Sequence, residues 1–444
     1  MLEISNGARL ALKLLHASGY EAYLVGGCVR DMVMGTRAHD YDITTSATPS
    51  QMKEVFEGYH VIETGLKHGT LTFVYQREPI EITTYRIEGE YKDNRHPESV
   101  VFTTKLDNDL SRRDFTMNAL VYNEREGVKD LFGGLNDIKN KVIRAIGVPE
   151  NRFREDALRI LRAMRFASTL GFEIEGETLN AMIKCAPLLH NISGERISAE
   201  INKMLVGKNV GGVLRSCYQI LAEIIPAVKE MHGFLQRSKY HIYDVWEHTV
   251  RATEEIEPIA HLRLTMLLHD SGKPQAFTLG EDGAGHFYGH AAYSCEIARE
   301  FLNKYKYDNF TKERVLNLIK IHDTPIEFDK IFIKKRINRL GSEQFFDLLK
   351  VKRADNLAQS PEFRWTDKLS KMEALANEIV NDDCFTLSAL KIGGNDLILL
   401  GFMGREIGIT LNLLLNEVIE EKIENEKNAL INRAKEIRRT KNEY

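Results

Sequence analysis

Strand-forming sequence is confined to the first third of the chain. Up to about residue 140, short alternating apolar runs, "EAYLVGG", "LTFVYQ" and "PIEITTY", are separated by stretches of helical period. Beyond about residue 150 the strand signals nearly vanish, and helical periodicity runs to the end. A sheet can therefore form only near the amino end, ahead of a long helical remainder, which makes the fold α+β. The strongest helical pattern is "ENRFREDALRILRAMRFASTLGF", with Gly171 placed to stop it. A chain of 444 residues exceeds one core. Its punctuation suggests an α/β head (1–140), a helical neck (141–215), a histidine-rich helical body (216–365) and a helical tail (366–444).

Composition narrows the function classes. No apolar run approaches the roughly 18 residues of a membrane helix. The first residues read as an amphipathic helix rather than a basic leader, so a cytoplasmic protein is expected. The five cysteines are scattered, with no Cys-x-x-Cys pair, which argues for a reducing compartment and against a disulfide framework or zinc ribbon. A net charge of −4 argues against wholesale coating of nucleic acid. Residues 139–215 nevertheless hold 13 Lys/Arg against 8 Asp/Glu, a local basic surface suited to a polyanion gripped at a few places.

The chemistry concentrates in "YLVGGCVRDMVMGTRAHDYDITT". Asp40 and Asp42 alternate at the start of a β-branched run, so a strand would point both carboxylates to one face. Paired acids of this kind hold Mg²⁺ while leaving positions for phosphate oxygens. Upstream, Gly26 and Gly27 permit close backbone approach to a phosphate, and a short helix beginning there would add its amides and Arg30. Glu81 in "PIEITTY" is either a third acid or merely a solvated strand residue. Three acids around two ions would activate a hydroxyl and stabilise departing pyrophosphate.

Three ordered motifs, "LVGGCVRD…HDYDITT", "LSRRDFTMNAL" and "REDALRILRAMRFA", resemble the signatures of class II tRNA nucleotidyltransferases, the CCA-adding enzymes and bacterial poly(A) polymerases. The likeness covers roughly residues 20–215. It implies a polymerase-β-like nucleotidyltransferase head followed by helical neck, body and tail. The implied activity is template-independent addition of C, C and A to the 3′ end of tRNA from CTP and ATP, with Asp40, Asp42 and Glu81 around Mg²⁺. On a continuous helix Asp156 and Arg159 would be neighbours on one face. One accepts hydrogen bonds and the other donates them, which suits the donor–acceptor edge shared by cytosine and adenine. Taken alone the pair reads as a surface salt bridge; the resemblance makes it the nucleotide-selecting motif. The same resemblance makes Arg113, Arg162 and Arg165 nucleotide contacts, Arg112 a weaker one, and Asp114 an orienting group. It also makes "YRIEGEYKDNRHPESVVF" the flexible loop of enzymes that add the terminal A, with Arg86 and Glu88 as its lever.

A second constellation lies in the body. His248 in "DVWEHTV", His269 and Asp270 in "MLLHDSGKP" and Asp355 in "KRADNLA" follow an order that resembles the HD phosphohydrolase superfamily. There such residues hold a divalent ion that activates water against a phosphate ester. His286, His290 and His322 could line the same site, His290 best of them. The expected activity is trimming of phosphate-bearing tRNA 3′ ends. In the tail, Ile407, Leu411, Leu414, Leu415, Val418 and Ile419 read as a core stripe on a long helix. Arg438, Arg439 and Lys441 are either phosphate contacts for tRNA or a solvated terminus. No membrane or protein partner is implied. Rival readings are a poly(A) polymerase of the same fold, a nucleotide phosphohydrolase whose head only senses nucleotide, and a non-catalytic RNA-binding module.

Overall fold

The computed structural model describes residues 3–38, 40–66, 69–89, 99–382 and 384–442. Contacts divide the chain into two compact units. One comprises residues 1–229 with Phe301–Tyr307, and the other residues 230–300 with 308–444.

The first unit opens with α1 (Asn6–Ala17), whose first turn is capped by the Ser5 hydroxyl accepting from the Ala8 amide. A seven-stranded mixed sheet follows in the order β3-β4-β5-β2-β1-β8-β9. These are β1 (Ala22–Val25), β2 (Tyr41–Thr45), β3 (His60–Ile62), β4 (Thr70–Tyr75), β5 (Glu78–Thr84), β8 (Val121–Asn123) and β9 (Gly127–Lys129). A separate hairpin joins β6 (Arg86–Glu88) to β7 (Val100–Phe102). Only β2 and β5 pair in parallel within the large sheet; its other pairs are antiparallel. Alternation decides what each face carries. Leu71, Phe73, Ile80 and Ile82 are buried against α1 with Leu24 and Ile43, while Glu81 faces the opposite way and is exposed. Each fully buried side chain of this size stabilises the head by roughly 1.5–3 kcal/mol.

The neck begins with a departure from the sequence reading. The single helix expected over 150–170 is two, α6 (Pro149–Glu155) and α7 (Leu158–Leu170), separated at Asp156 and Ala157. Asp156 takes an extended backbone, and its Oδ1 accepts from the Leu158 amide at 3.1 Å. A short carboxylate offers the backbone a local alternative to the helix, and here the alternative wins. The expected stop holds: Gly171 has φ +72° and its N–H donates to the Ala167 carbonyl. Helix α7 packs on Gly194–Leu205, where Arg165 pairs with Glu200 and the Ser168 hydroxyl donates to the Met204 carbonyl. A Cβ on Gly207 would fall 2.2 Å from Ser168 Oγ, so only glycine allows this approach.

The second unit is almost wholly helical among its described residues, apart from the short pair Thr278–Leu279 and Gly285–His286. Its larger core gathers Leu262, Met266, Leu318, Phe345, Leu348 and Met372. In the tail Leu414, Leu415, Val418 and Ile419 are buried, with Ile407 and Leu411 packed against them, as the stripe requires. The long tail helix is instead a pair, Arg405–Ile419 and Lys427–Asn442, turned at Glu421 with φ +56°. All five cysteines are free thiols.

Candidate active site

Sheet register builds the head site. Parallel pairing sets Asp42 opposite Glu81, one strand apart and both exposed. Asp40, also exposed, lies at the bend just before β2. Burial, then Glu81, then Asp40 push the Asp42 carboxyl above its ordinary range, with Arg113 opposing them. The three acids do not form a group with ligand atoms all within 4.8 Å of one another. Mg²⁺ is usually held by only one or two carboxylates, with phosphate and water completing its octahedron, so the register pair Asp42 and Glu81 offers the kind of donor it takes. Next to β1, Gly26 has φ +80° and ψ −134° and opens α2 (Gly27–Val33). A Cβ there would meet Arg113 Nη1 at 3.3 Å. The turn and Arg113 thus share one small space, and the Arg113 Nε is buried without a hydrogen-bond partner.

Other expected contacts are placed differently. Arg30 is 8% exposed, and its guanidinium donates to Asp31 Oδ1 and Asn118 Oδ1 and lies 5.1 Å from the Phe166 ring centre. As placed it ties α2 to the head–neck seam instead of facing a triphosphate. Asp156 and Arg159 do not share a helix face, because the break separates them. Asp156 Oδ2 accepts from Arg196 at 3.0 Å, and Arg159 donates to Glu155 at 2.7 Å and to the carbonyls of Arg112 and Arg152. Arg165 pairs with Glu200 and stacks 3.9 Å from the Phe166 ring centre. Arg162 donates to Asp114, whose other oxygen accepts from the Phe115 amide and Asn118 Nδ2. Despite burial, Arg162 and these donors hold the Asp114 carboxyl down at about 2. Residues 90–98 of the expected flexible loop lie outside the described residues, as do the side chains of Glu88 and Lys441.

One residue that sequence reasoning missed organises the site. Asp109, fully buried in α4 (Leu106–Ser111), accepts from Thr44 Oγ1 on β2, the Arg86 amide on β6 and Arg112, with Arg113 at 3.6 Å. Burial raises its carboxyl, but Arg113 and Arg112 together hold it below the usual range. The signal was readable in "DLSRRD": an acid three and four residues ahead of two arginines on a helix.

In the second unit the histidine cluster assembles fully. His248 Nε2 lies 2.9 Å from Asp355 Oδ1 and 3.4 Å from Asp270 Oδ2; His269 Nε2 lies 3.4 and 3.3 Å from the same oxygens. These four offer ligand atoms within 4.8 Å of one another, and Asp270, His290 and His322 form a second such group. His286 belongs to neither. A shared pattern sets the tautomers. The Nδ1 atoms of His269, His290 and His322 each meet the carbonyl three residues back, those of Met266, Phe287 and Ile319, at 2.6–2.9 Å. Each Nε2 is thereby turned inward as a lone-pair donor. His269 Nε2 finds no hydrogen-bond partner, and the Nε2 atoms of His290 and His322 confront each other at 3.1 Å. Buried converging lone pairs beside carboxylates require positive charge. Accordingly Asp270 and Asp355 are held well below the usual range by their imidazole and lysine neighbours against the push of burial. Burial lowers the His269 imidazole, but Asp270 and Asp355 lift it to about 10. The donor set fits a divalent ion, with Asp270 common to both groups.

A mixed sheet bearing register-paired carboxylates beside a glycine turn, followed by helices, is the architecture of a polymerase-β-like nucleotidyltransferase. Residues 22–144 match the poly A polymerase head domain, 171–230 the probable RNA and SrmB-binding site of polymerase A, and 287–434 a tRNA nucleotidyltransferase domain 2. A CCA-adding enzyme of Lactobacillus delbrueckii subsp. bulgaricus is 49% identical over 207 residues, 47% of this chain and 52% of that one. One from Streptococcus suis is 48% identical over 229 residues, 50% and 56% of the two chains. The chain thus spans about half the length of the relatives it matches. The Bacillus stearothermophilus CCA-adding enzyme solved with CTP superposes at a TM-score of 0.74, 27% identical, over 98% of both chains. The Thermotoga maritima CCA-adding enzyme solved with tRNA shares the fold at 0.61 and 21%, covering 96% of this chain and 93% of that one. Along residues 22–144, 171–230 and 287–434 the chain is thus similar to the tRNA nucleotidyltransferases and bacterial poly(A) polymerases. No helix among its described residues is long and apolar enough to cross a membrane.

Proposed function

We propose that this chain adds C, C and A to the 3′ end of tRNA in the cytoplasm, using CTP and ATP. The observation that carries the reading is the register of β2 and β5, which sets Asp42 beside Glu81 next to the Gly26 turn and Arg113. Asp40 and Asp42, with Glu81, would hold Mg²⁺, which when bound lowers the pKa of the attacking 3′-hydroxyl and neutralises the departing pyrophosphate. The chain's own groups do the rest. Arg113, with an unspent Nε–H, donates to the triphosphate, and the Gly26–Gly27 backbone approaches it closely. Asp114 and Arg162 fix the arginine-bearing loop against the neck. Asp156, held extended at the head of α7, offers a carboxylate to the exocyclic amine of C or A. Arg159 exchanges its Glu155 contact for the ring-nitrogen acceptor. Uracil and guanine would leave both groups unpaired, a mismatch worth roughly 10⁴-fold. The test is a tRNA lacking its terminal trinucleotide, given each nucleoside triphosphate alone and in pairs. Incorporation of C alone, then of A only after C, supports the proposal, and long A tracts or no incorporation reject it.

The histidine cluster favours a second activity. We infer that His248, His269, Asp270 and Asp355 hold a divalent ion for hydrolysis of phosphate esters at RNA 3′ ends, with His290 and His322 completing the second ligand group. Phosphate release that survives the loss of His269 and Asp270 would overturn this.

A further inference from the structure

Two cavities adjoin at the histidine cluster and share His322, Asp323, Asp355 and Gln359. The first, about 260 Å³, lies over Asp270 and His290, with Lys273, Phe287 and Tyr288 also in its lining. It is large enough for a phosphate. In the second, about 430 Å³, Pro325, Ile326 and Trp365 form an apolar wall, with Lys352 and Lys368 among its lining. A bare phosphate gives no reason for such a chamber. A planar base attached to that phosphate through a sugar does, since bases stack on indoles and cations track the phosphodiester.

The wall is physically tied to the ligand cluster. The Trp365 amide donates to Asn356 Oδ1 at 2.7 Å, and Asn356 Nδ2 donates to Gln359 Oε1 at 3.1 Å. Gln359 Nε2 in turn donates to Asp355 Oδ2 at 3.1 Å. Asp355 is the least enclosed of the four acids and imidazoles, with a side chain 25% exposed where the others are nearly sealed. The route from cluster to aromatic wall therefore passes Asp355, which lines both cavities. Trp365 also packs on the second unit's core, which limits the motion of its ring.

We propose that the Trp365 cavity is a nucleoside subsite. Trp365 would thus set the preference of the histidine cluster for nucleotides over esters that lack a base. This rests on the phosphohydrolase reading above. In the reaction the water oxygen bonds to phosphorus, one bond from phosphorus to a ribose oxygen breaks, and the proton lost by water ends on that oxygen. No oxidant or further co-reactant is needed.

The experiment compares adenosine 2′-phosphate with glycerol 2-phosphate, which lacks a base, in the wild type, Trp365→Ala and Trp365→Phe proteins loaded with divalent metal. The ratio of kcat/KM for the nucleotide over the glycerol ester should fall roughly tenfold in W365A, through KM, and recover in W365F; stacking of one base supports that magnitude. An unchanged ratio overturns the proposal. A second readout does not depend on turnover. The chain has two tryptophans, Trp246 and Trp365, and only Trp365 lines this cavity, so its substitution isolates the signal. Adenosine 2′-phosphate should quench wild-type fluorescence and leave W365F unquenched. Quenching without hydrolysis would retain the subsite and reject the phosphohydrolase reading. Hydrolysis without quenching and without base preference would reject the subsite alone.

Discussion

Arg162, on neck helix α7, donates two hydrogen bonds of 2.9 and 2.7 Å to a single oxygen of Asp114, in the head loop that carries Arg113. The other Asp114 oxygen is taken by a backbone amide and by Asn118, so the carboxylate is fully engaged on both sides. Its carboxyl titrates at about 2, below the ordinary value of 3.8. A folded-state pKa below the unfolded one stabilises fully above about pH 4 and loses that contribution as pH falls toward 2. Asp114→Asn should therefore cost about 2 kcal/mol at pH 7. Denaturant unfolding from pH 7 to pH 3 should show the gap to wild type narrowing below pH 4. A gap independent of pH would mean the carboxylate's charge contributes nothing.

Asp42 has the opposite sign. Burial, Glu81 and Asp40 raise its carboxyl, so its charge opposes folding at neutral pH. Asp42→Asn should leave stability equal to or slightly above wild type while nucleotide incorporation falls by about 10³-fold or more, the scale of losing a charge-stabilising group. Activity and melting temperature thus move in different directions. A variant that lost both together would mark Asp42 as structural.

The Gly26 turn combines two constraints, a φ of +80° and a neighbouring Arg113 Nη1 that a Cβ would meet at 3.3 Å. Gly26→Ala should destabilise by about 1–3 kcal/mol through backbone strain. By displacing Arg113 it should also raise KM for CTP and ATP, with kcat less affected. Thermal melting and initial rates over a nucleotide series distinguish the two effects.

How much of this was readable in advance depends on range. Four strands of the large sheet, the Gly171 stop and the buried tail stripe follow from local periodicity, and the structure has them. Local pattern could not find the short strands Val121–Asn123 and Gly127–Lys129, because three residues carry almost no period; the first exists by pairing with β1 and the second by pairing with the first. The helix break at Asp156 was hidden for another reason. Helical period continues through it, and only the carboxylate's hydrogen bond to the Leu158 amide ends the first segment. Chemistry alone points the Arg30 guanidinium at a phosphate, whereas its Asn118 partner lies 88 residues away in sequence. In the body, four widely spaced residues signalled a cluster, yet the shared tautomer pattern is visible only in three dimensions.

Asp109 offers a test of that long-range order. It is fully buried and joins β2, β6 and two arginines. Asp109→Asn keeps the shape and leaves Arg112 and Arg113 facing a neutral amide. Removing one member of a buried ionic network typically costs about 3–5 kcal/mol. The expected outcome is a large loss of stability in denaturant, with nucleotide incorporation falling as Arg113 loses its guide. Asp109→Ala should be at least as severe, because it also abandons Thr44 Oγ1. A change within about 0.5 kcal/mol, the range of an ordinary surface substitution, would remove Asp109 from the account of the site.

The histidine cluster makes a prediction about metal that is independent of any substrate. An ion that binds only the folded state stabilises it by about 2.7 kcal/mol at a hundred times its dissociation constant. With Asp270 and Asp355 converging on the His248 and His269 imidazoles and two further imidazoles confronting each other, the cluster gains directly when an ion binds among them. Exhaustive chelation should lower the wild-type melting temperature, and returning a divalent ion should restore it. The double variant His269→Ala/Asp270→Ala should carry less metal by atomic spectroscopy and lose this response to added ion. It should also lose phosphate-ester hydrolysis while nucleotide addition stays within about twofold, since the substituted pair belongs to neither the carboxylates nor the arginines of the head site. A wild-type protein whose melting and metal content ignore both chelator and divalent ion would leave the inward-turned imidazoles without a metal role.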